Sequence, residues 1–212
     1  MVARGVRQMM FNSGQSCNAP SRMLVPASRL GEAELIAATT AETIRVGDPR
    51  DASTEVGPIA NARQYARVQN LIEQGLAEGA KAIAGGPGLP AGLASGHYCR
   101  PTVFSEVSST MTIVREEIFG PVLCLIPYKD EDDAIRIAND TVYGLSAYVN
   151  GGDAESRARI AGRIRSGMVH LQGAQLDMAA PFGGYKQSGN GREWGAWGLE
   201  DFLETKAVMG VA

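Results

Sequence analysis

From residue 22 onward, short β-branched or apolar runs alternate with stretches in which apolar residues return every three or four positions. That rhythm builds parallel sheets through crossover helices, so the predicted class is α/β: a three-layer domain with a mainly parallel sheet flanked by helices. Residues 22–25 read as a strand and 28–46 as a helix. Residues 61–78 give a clearer helix, with Tyr65, Val68, Ile72 and Leu76 on one face and Asn61 and Gln64 placed as a capping box. Residues 81–84 and 98–104 read as strands on either side of a Gly/Pro-rich turn. A short helix over 111–117 precedes a strand at 122–126, and the acidic run 130–133 suits the start of the next helix. A βαβ unit follows: a strand at 145–149, Asp153 capping a helix with Ala154, Ala158, Ala161 and Ile164 on one face, and a strand at 168–171. The tail holds a glycine-rich loop at 181–191, a short helix near 192–199 and a strand-like segment at 205–211. There is neither an internal repeat nor a linker.

Composition narrows the function classes. With 212 residues, 44% hydrophobic and 20% charged, the chain can bury a real core, and a net charge of −3 is too small for disorder. It also lacks the basic footprint of a nucleic-acid binder, so no nucleic-acid partner is expected. The apolar run Val122-Leu123-Cys124-Leu125-Ile126 is strand-sized, far short of the roughly 18 to 20 residues that span a bilayer, so no membrane segment is expected. Residues 1–11 carry Arg4 and Arg7 but no signal-like apolar block, and the expected location is cytoplasmic. Cys17, Cys99 and Cys124 form an odd set without C-x-x-C spacing, and His97 and His170 lie far apart, so neither a disulfide framework nor a metal site is expected. At least one thiol is free. Neither G-x-G-x-x-G nor a Walker loop is present.

Three segments carry candidate chemistry. In Phe11-Asn12-Ser13-Gly14-Gln15-Ser16-Cys17-Asn18-Ala19-Pro20, a thiol sits among small polar residues beside a flexible glycine, where it can be exposed and approached by backbone donors. The same residues also fit a space-filling loop cysteine. Cys99 and Cys124 lie inside apolar strand patterns and read as inert core residues. In Arg115-Glu116-Glu117-Ile118-Phe119-Gly120-Pro121, the paired carboxylates fit a solvated helix end. They equally fit a carboxylate that accepts from both hydroxyls of a ribose, with an aromatic packing on the attached ring. The third, Pro181-Phe182-Gly183-Gly184-Tyr185-Lys186-Gln187-Ser188-Gly189-Asn190-Gly191-Arg192-Glu193, is strongly patterned, but its spacing assigns no chemistry.

Taken together and in this order, the three segments resemble the F-N-x-G-Q-x-C, E-E-I-F-G-P and P-F-G-G-x-K-x-S-G-x-G-R-E motifs of the aldehyde dehydrogenase superfamily, specifically its C-terminal catalytic domain. The resemblance covers essentially the whole chain. It implies that Cys17 is the nucleophile, with its backbone N–H in the oxyanion hole. It also implies that Glu117 binds the nicotinamide ribose, that Phe119 packs near the nicotinamide, and that Phe182 and Phe11 line the aldehyde pocket. By the same resemblance, residues 1–199 are the catalytic domain and 200–212 an oligomerisation arm through which the chain forms a homo-oligomer. The implied cofactor is NAD, with NADP as the other option, bound mainly by an N-terminal domain outside these residues. That domain would also carry the oxyanion-hole asparagine and the general-base glutamate. The implied partner is a small-molecule aldehyde, and the implied chain is an isolated domain, a split subunit or a truncated gene product. One departure is visible: the strand ends Val169-His170-Leu171-Gln172 where many members end in asparagine.

Overall fold

The computed structural model describes residues 1–210. In chain order its elements are α1 (Val2–Met10), β1 (Arg22–Pro26), α2 (Leu30–Thr43), α3 (Ala62–Ala77), β2 (Lys81–Ala84), β3 (Thr102–Ser105), α4 (Thr112–Arg115), β4 (Val122–Tyr128), α5 (Glu131–Asn139), β5 (Ser146–Val149), α6 (Ala154–Arg163), β6 (Met168–Leu171) and α7 (Gly195–Glu200). The chain divides into two compact units, Met1–Asp140 and Thr141–Ala212.

The first unit is built around a four-stranded sheet in the order β1-β4-β3-β2, with β4 parallel to both neighbours and β2 antiparallel to β3. Strand β4 is apolar throughout because it is covered on both faces. Its alternate residues Val122, Cys124 and Ile126 join a cluster with Val68 and Ile72 of α3 and Ile113 of α4. Leu123 and Leu125 join the opposite cluster with Val6 and Met9 of α1 and Ala37 and Ala41 of α2. Two helical layers thus enclose one sheet, the expected α/β class with a mainly parallel sheet.

Local differences have local causes. Helix α1 is absent from the sequence reading, although Val2, Val6, Met9 and Met10 recur at helical spacing, and Val6, Met9 and Met10 are buried. Gly5 and two arginines break the look of a helix without breaking its apolar stripe. Helix α3 starts where expected, with Asn61 Oδ1 accepting from the Gln64 backbone N–H at 2.9 Å. Its inward face is Val68, Leu71, Ile72 and Gly75, and Leu76 is exposed. Strand β3 begins at Thr102, not residue 98, because Pro101 has no N–H to offer a ladder.

The second unit holds the βαβ motif: β5 and β6 pair in parallel, Ser146 to Met168 through Val149 to Leu171, with α6 as the crossover. Asp153 caps α6 by accepting from the Ser156 N–H at 2.7 Å, as expected, but no α6 residue is buried and Ala154 and Ala158 are exposed. Residues 203–210 are exposed and form no strand. A strand needs a neighbouring edge to satisfy its N–H and C=O groups, and none is paired with this segment among the described residues. Val211, the last residue of the expected strand, lies outside the described residues.

Candidate active site

Helix α1 runs into a tight turn in which Asn12, Ser13 and Gly14 all adopt left-handed backbone, with φ of 51°, 58° and 68°. Two consecutive non-glycine residues in that region are uphill, so side chains must hold them. Asn12 Nδ2 donates to Gln15 O at 2.9 Å, and the buried Ser13 hydroxyl donates to Gly57 O at 2.8 Å. Gln15 Oε1 accepts from the Ala60 N–H at 2.8 Å. Cys17 follows at the next turn, where the Ala19 N–H donates to Ser16 O, and its side chain is exposed.

Gly14 brings the second motif to the first. A Cβ at Gly14 would lie closer than 3.0 Å to the Gly120 carbonyl and to the Pro121 nitrogen, so the turn before Cys17 rests directly on the Gly120-Pro121 peptide. In the segment between α4 and β4, Ile118 and Gly120 are buried while Glu117 and Phe119 are exposed. The alternation anchors the backbone through Ile118 and turns the carboxylate and the ring toward solvent. Phe119 itself has φ 54°, a true outlier for an aromatic residue.

The other two thiols are inert by environment. Burial pushes Cys99 up to about 11, against a partly compensating hydrogen bond from Gln69 Nε2 at 3.3 Å. It pushes Cys124 up to about 12. Both are therefore thiols at neutral pH, leaving Cys17 as the exposed one of the three. A consequence can be measured. An unfolded cysteine ionises from about pH 8.5 whereas native Cys124 stays protonated, so the unfolded chain binds fewer protons above that pH. Stability is expected to be unaffected by this group below about pH 8.5 and to fall as pH rises toward 12. Urea unfolding at several alkaline pH values checks this, and Cys124→Ala should flatten the dependence.

In the second unit the glycine-rich motif is chiefly a packing device. The Tyr185 N–H donates to Gly144 O at 2.8 Å, and the Gly144 N–H donates to the Ser188 hydroxyl at 3.0 Å, tying the loop to the start of β5. A side chain on Gly167 would collide with the Gly183 backbone, and one on Gly183 with the Gly191 carbonyl. Arg192 Nη1 donates to Gly184, Asn190 and Gly191 carbonyls at 2.9 to 3.2 Å, closing the loop on itself. Phe182 exchanges backbone hydrogen bonds with Glu193, and its half-buried ring lies 4.9 Å from Trp194. Pro181 and Trp194 border a groove of about 310 Å³ with Met168, His170 and Leu176. Phe11 is 74% exposed and lines no described cavity. At the departure, Gln172 has φ 53°, a conformation asparagine adopts more readily than glutamine, and its Oε1 accepts from the Gly151 N–H at 3.2 Å.

The sequence reading missed the residues that hold the second motif in place. Gln64 Nε2 donates to Ile118 O and Phe119 O, both at 3.0 Å, and Arg67 Nη2 donates to Glu117 O at 3.0 Å and Glu116 Oε2 at 3.2 Å. The sequence reads Gln64 as half of a capping box, but its side chain reaches the 118–119 carbonyls instead; its three-residue spacing from Arg67 on α3 is the available signal. Among the described residues, no group of three His, Cys, Asp or Glu could hold a metal ion, and no helix is long and apolar enough to cross a membrane.

Comparison with known proteins bears on this arrangement. Residues 1–208 match the family described as the aldehyde dehydrogenase family. The 3-succinoylsemialdehyde-pyridine dehydrogenase of a Pseudomonas species is 60% identical over 209 residues, which cover 99% of this chain and 44% of that protein. Among solved structures, aldehyde dehydrogenase C of Pseudomonas syringae, a cysteine-to-alanine variant complexed with NAD+ and octanal, is 57% identical with a TM-score of 0.97. The alignment covers 100% of this chain and 44% of that one. An aldehyde dehydrogenase of Mycobacterium tuberculosis complexed with NAD+ is 42% identical with a TM-score of 0.93, over 98% and 44% of the two chains. The chain thus spans less than half the length of these relatives.

Proposed function

The chain belongs to the aldehyde dehydrogenase family, and from that premise we propose that residues 1–199 are its catalytic domain, working with a cofactor half to oxidise an aldehyde to a carboxylic acid. The observation that carries this reading is the one exposed thiol, Cys17, on a turn whose Gly14 rests on the segment bearing Glu117 and Phe119. The proposed nucleophile and the proposed cofactor carboxylate therefore share one rigid framework.

The chemistry follows from the side chains. The Cys17 thiolate adds its electron pair to the aldehyde carbon, forming a C–S bond and an oxyanion that the Cys17 backbone N–H helps to stabilise. When bound, the nicotinamide cofactor accepts the hydride released as the oxyanion collapses to a thioester. Water then attacks the thioester carbon, the C–S bond breaks, and the acid and the Cys17 thiol are released. Sulfur suits both halves, since it is a strong nucleophile and its thioester hydrolyses readily.

An exposed carboxylate with a fixed backbone fits a ribose, because Glu117 can accept from both hydroxyls at once, and the Phe119 ring is free to pack beside the nicotinamide. The NAD+ complexes of the solved relatives support NAD as the cofactor, with NADP the alternative. The octanal bound by the Pseudomonas syringae relative supports a small-molecule aldehyde as substrate. A cytoplasmic setting completes the reading. The exposed Phe202, Val208 and Met209 support residues 200–212 as an arm that pairs with another copy. They also favour a second reading, a catalytically idle subunit that pairs with a longer homologue.

Steady-state aldehyde oxidation separates the two. The isolated chain is expected to turn over far below the range of about 1 to 10³ per second of ordinary enzymes, and co-expression with a cofactor half should bring it into that range. A normal rate from the isolated chain would contradict the need for a second half. No gain on co-expression would favour the idle subunit.

A further inference from the structure

Three successive backbone carbonyls, those of Glu117, Ile118 and Phe119, are each held by a donor from α3: Arg67 takes the first, and Gln64 takes the second and third, all at 3.0 Å. The two side chains stand three residues apart and so lie on one helix face. The held segment is not one the chain would adopt unaided. Phe119 is left-handed, and Gly120 is wedged between Gly14 and the Val68 side chain. Four residues before Gln64, the Ala60 N–H is bound by Gln15 of the cysteine turn. The stretch 60–67 therefore grips both motifs. It does so through the Ala60 backbone N–H and the Gln64 and Arg67 side chains, which touch neither the Cys17 sulfur nor the Glu117 carboxylate in any described hydrogen bond.

We propose that Gln64 and Arg67 are positioning residues that set the direction of the Glu117 carboxylate by holding the carbonyls of residues 117–119. The inference rests on the reading of Glu117 as the ribose carboxylate. Without Gln64, the buried Ile118 carbonyl loses a donor and the left-handed turn at Phe119 loses its restraint, so the backbone carrying Glu117 can relax. Arg67 fixes the residue at its own carbonyl, one bond closer to the side chain.

The test uses the 212-residue chain and nicotinamide mononucleotide, which presents the nicotinamide ribose with both hydroxyls, in a titration followed by NMR. Glu117→Gln, Gln64→Met and Arg67→Met are each expected to raise the apparent Kd about tenfold, and Arg67→Lys, which keeps a donor, to recover most of the loss. Adding Gln64→Met to Glu117→Gln should cost little more, because the first residue acts through the second. Circular dichroism and the protection of Cys99 and Cys124 from thiol reagents report that each variant is folded.

Parent-like binding by both folded methionine variants would overturn the positioning role while leaving Glu117 in place. Fully additive losses would overturn it as well. Parent-like binding by Glu117→Gln, or no binding to the parent chain, would overturn the Glu117 reading and the proposal together.

Discussion

Replacing Gly14 by alanine is expected to lower the unfolding midpoint by roughly 10 °C. Two costs combine. Gly14 has φ 68°, where a Cβ is strained, and that Cβ would press on the Gly120-Pro121 backbone, which cannot rotate away as a flexible side chain could. Overpacking of this kind costs about 1 to 3 kcal/mol and the left-handed conformation about 1 more, while a chain of this length loses roughly 2 to 4 °C per kcal/mol. Gly31 provides the control. It lies in α2 with nothing within 4 Å of its would-be Cβ, so Gly31→Ala should be neutral or slightly stabilising. Thermal unfolding of the two variants beside the parent checks both. An unchanged midpoint for Gly14→Ala would mean that the cysteine turn and the Gly120-Pro121 peptide are not in contact.

Replacing Cys17 by alanine is expected to remove turnover in the assembled enzyme by at least about 10⁴-fold, because no other group can form the covalent intermediate. The same change should leave stability within about 0.5 kcal/mol, since the side chain is exposed. Cys124→Ala should do the reverse. It removes a fully buried side chain from the face of β4 packed on α3 and α4, at a cost of about 1 to 2 kcal/mol, and leaves the chemistry intact. Turnover and urea unfolding measured on both variants distinguish a nucleophile from a core thiol. Activity retained by Cys17→Ala would end the covalent mechanism.

The contrast among the three cysteines also shows what was legible in the chain. Cys99 and Cys124 read as core because their neighbours are apolar, and both are buried. Strand β4 was plain for the same reason: an uninterrupted apolar run of strand length has two covered faces. Cap residues Asn61 and Asp153 were readable because capping is local, set by a side chain and an N–H three residues away. Long-range contacts were not readable. Gly14 meets Gly120 and Gln64 meets Ile118 and Phe119 across more than fifty residues, and no local pattern encodes such pairings.

Glycines illustrate the same limit from the other side. The sequence marked residues 181–191 as patterned, yet only the fold shows that Gly183 is small because the Gly191 carbonyl and the Arg192 side chain lie against it. The proposed arm at 200–212 belongs with these cases, since its strand-like pattern meets no paired edge among the described residues.

Site-resolved thiol labelling near neutral pH tests most directly whether Cys17 is the chain's reactive nucleophile. At pH 7 a thiol pushed up to about 11 by burial is ionised in roughly one molecule in 10⁴, and one at about 12 in roughly one in 10⁵, so Cys99 and Cys124 should be nearly silent. With a limiting electrophile and peptide mass spectrometry, Cys17 is expected to react at least about a hundredfold faster than either. Equal rates for all three thiols in a folded sample would contradict the account.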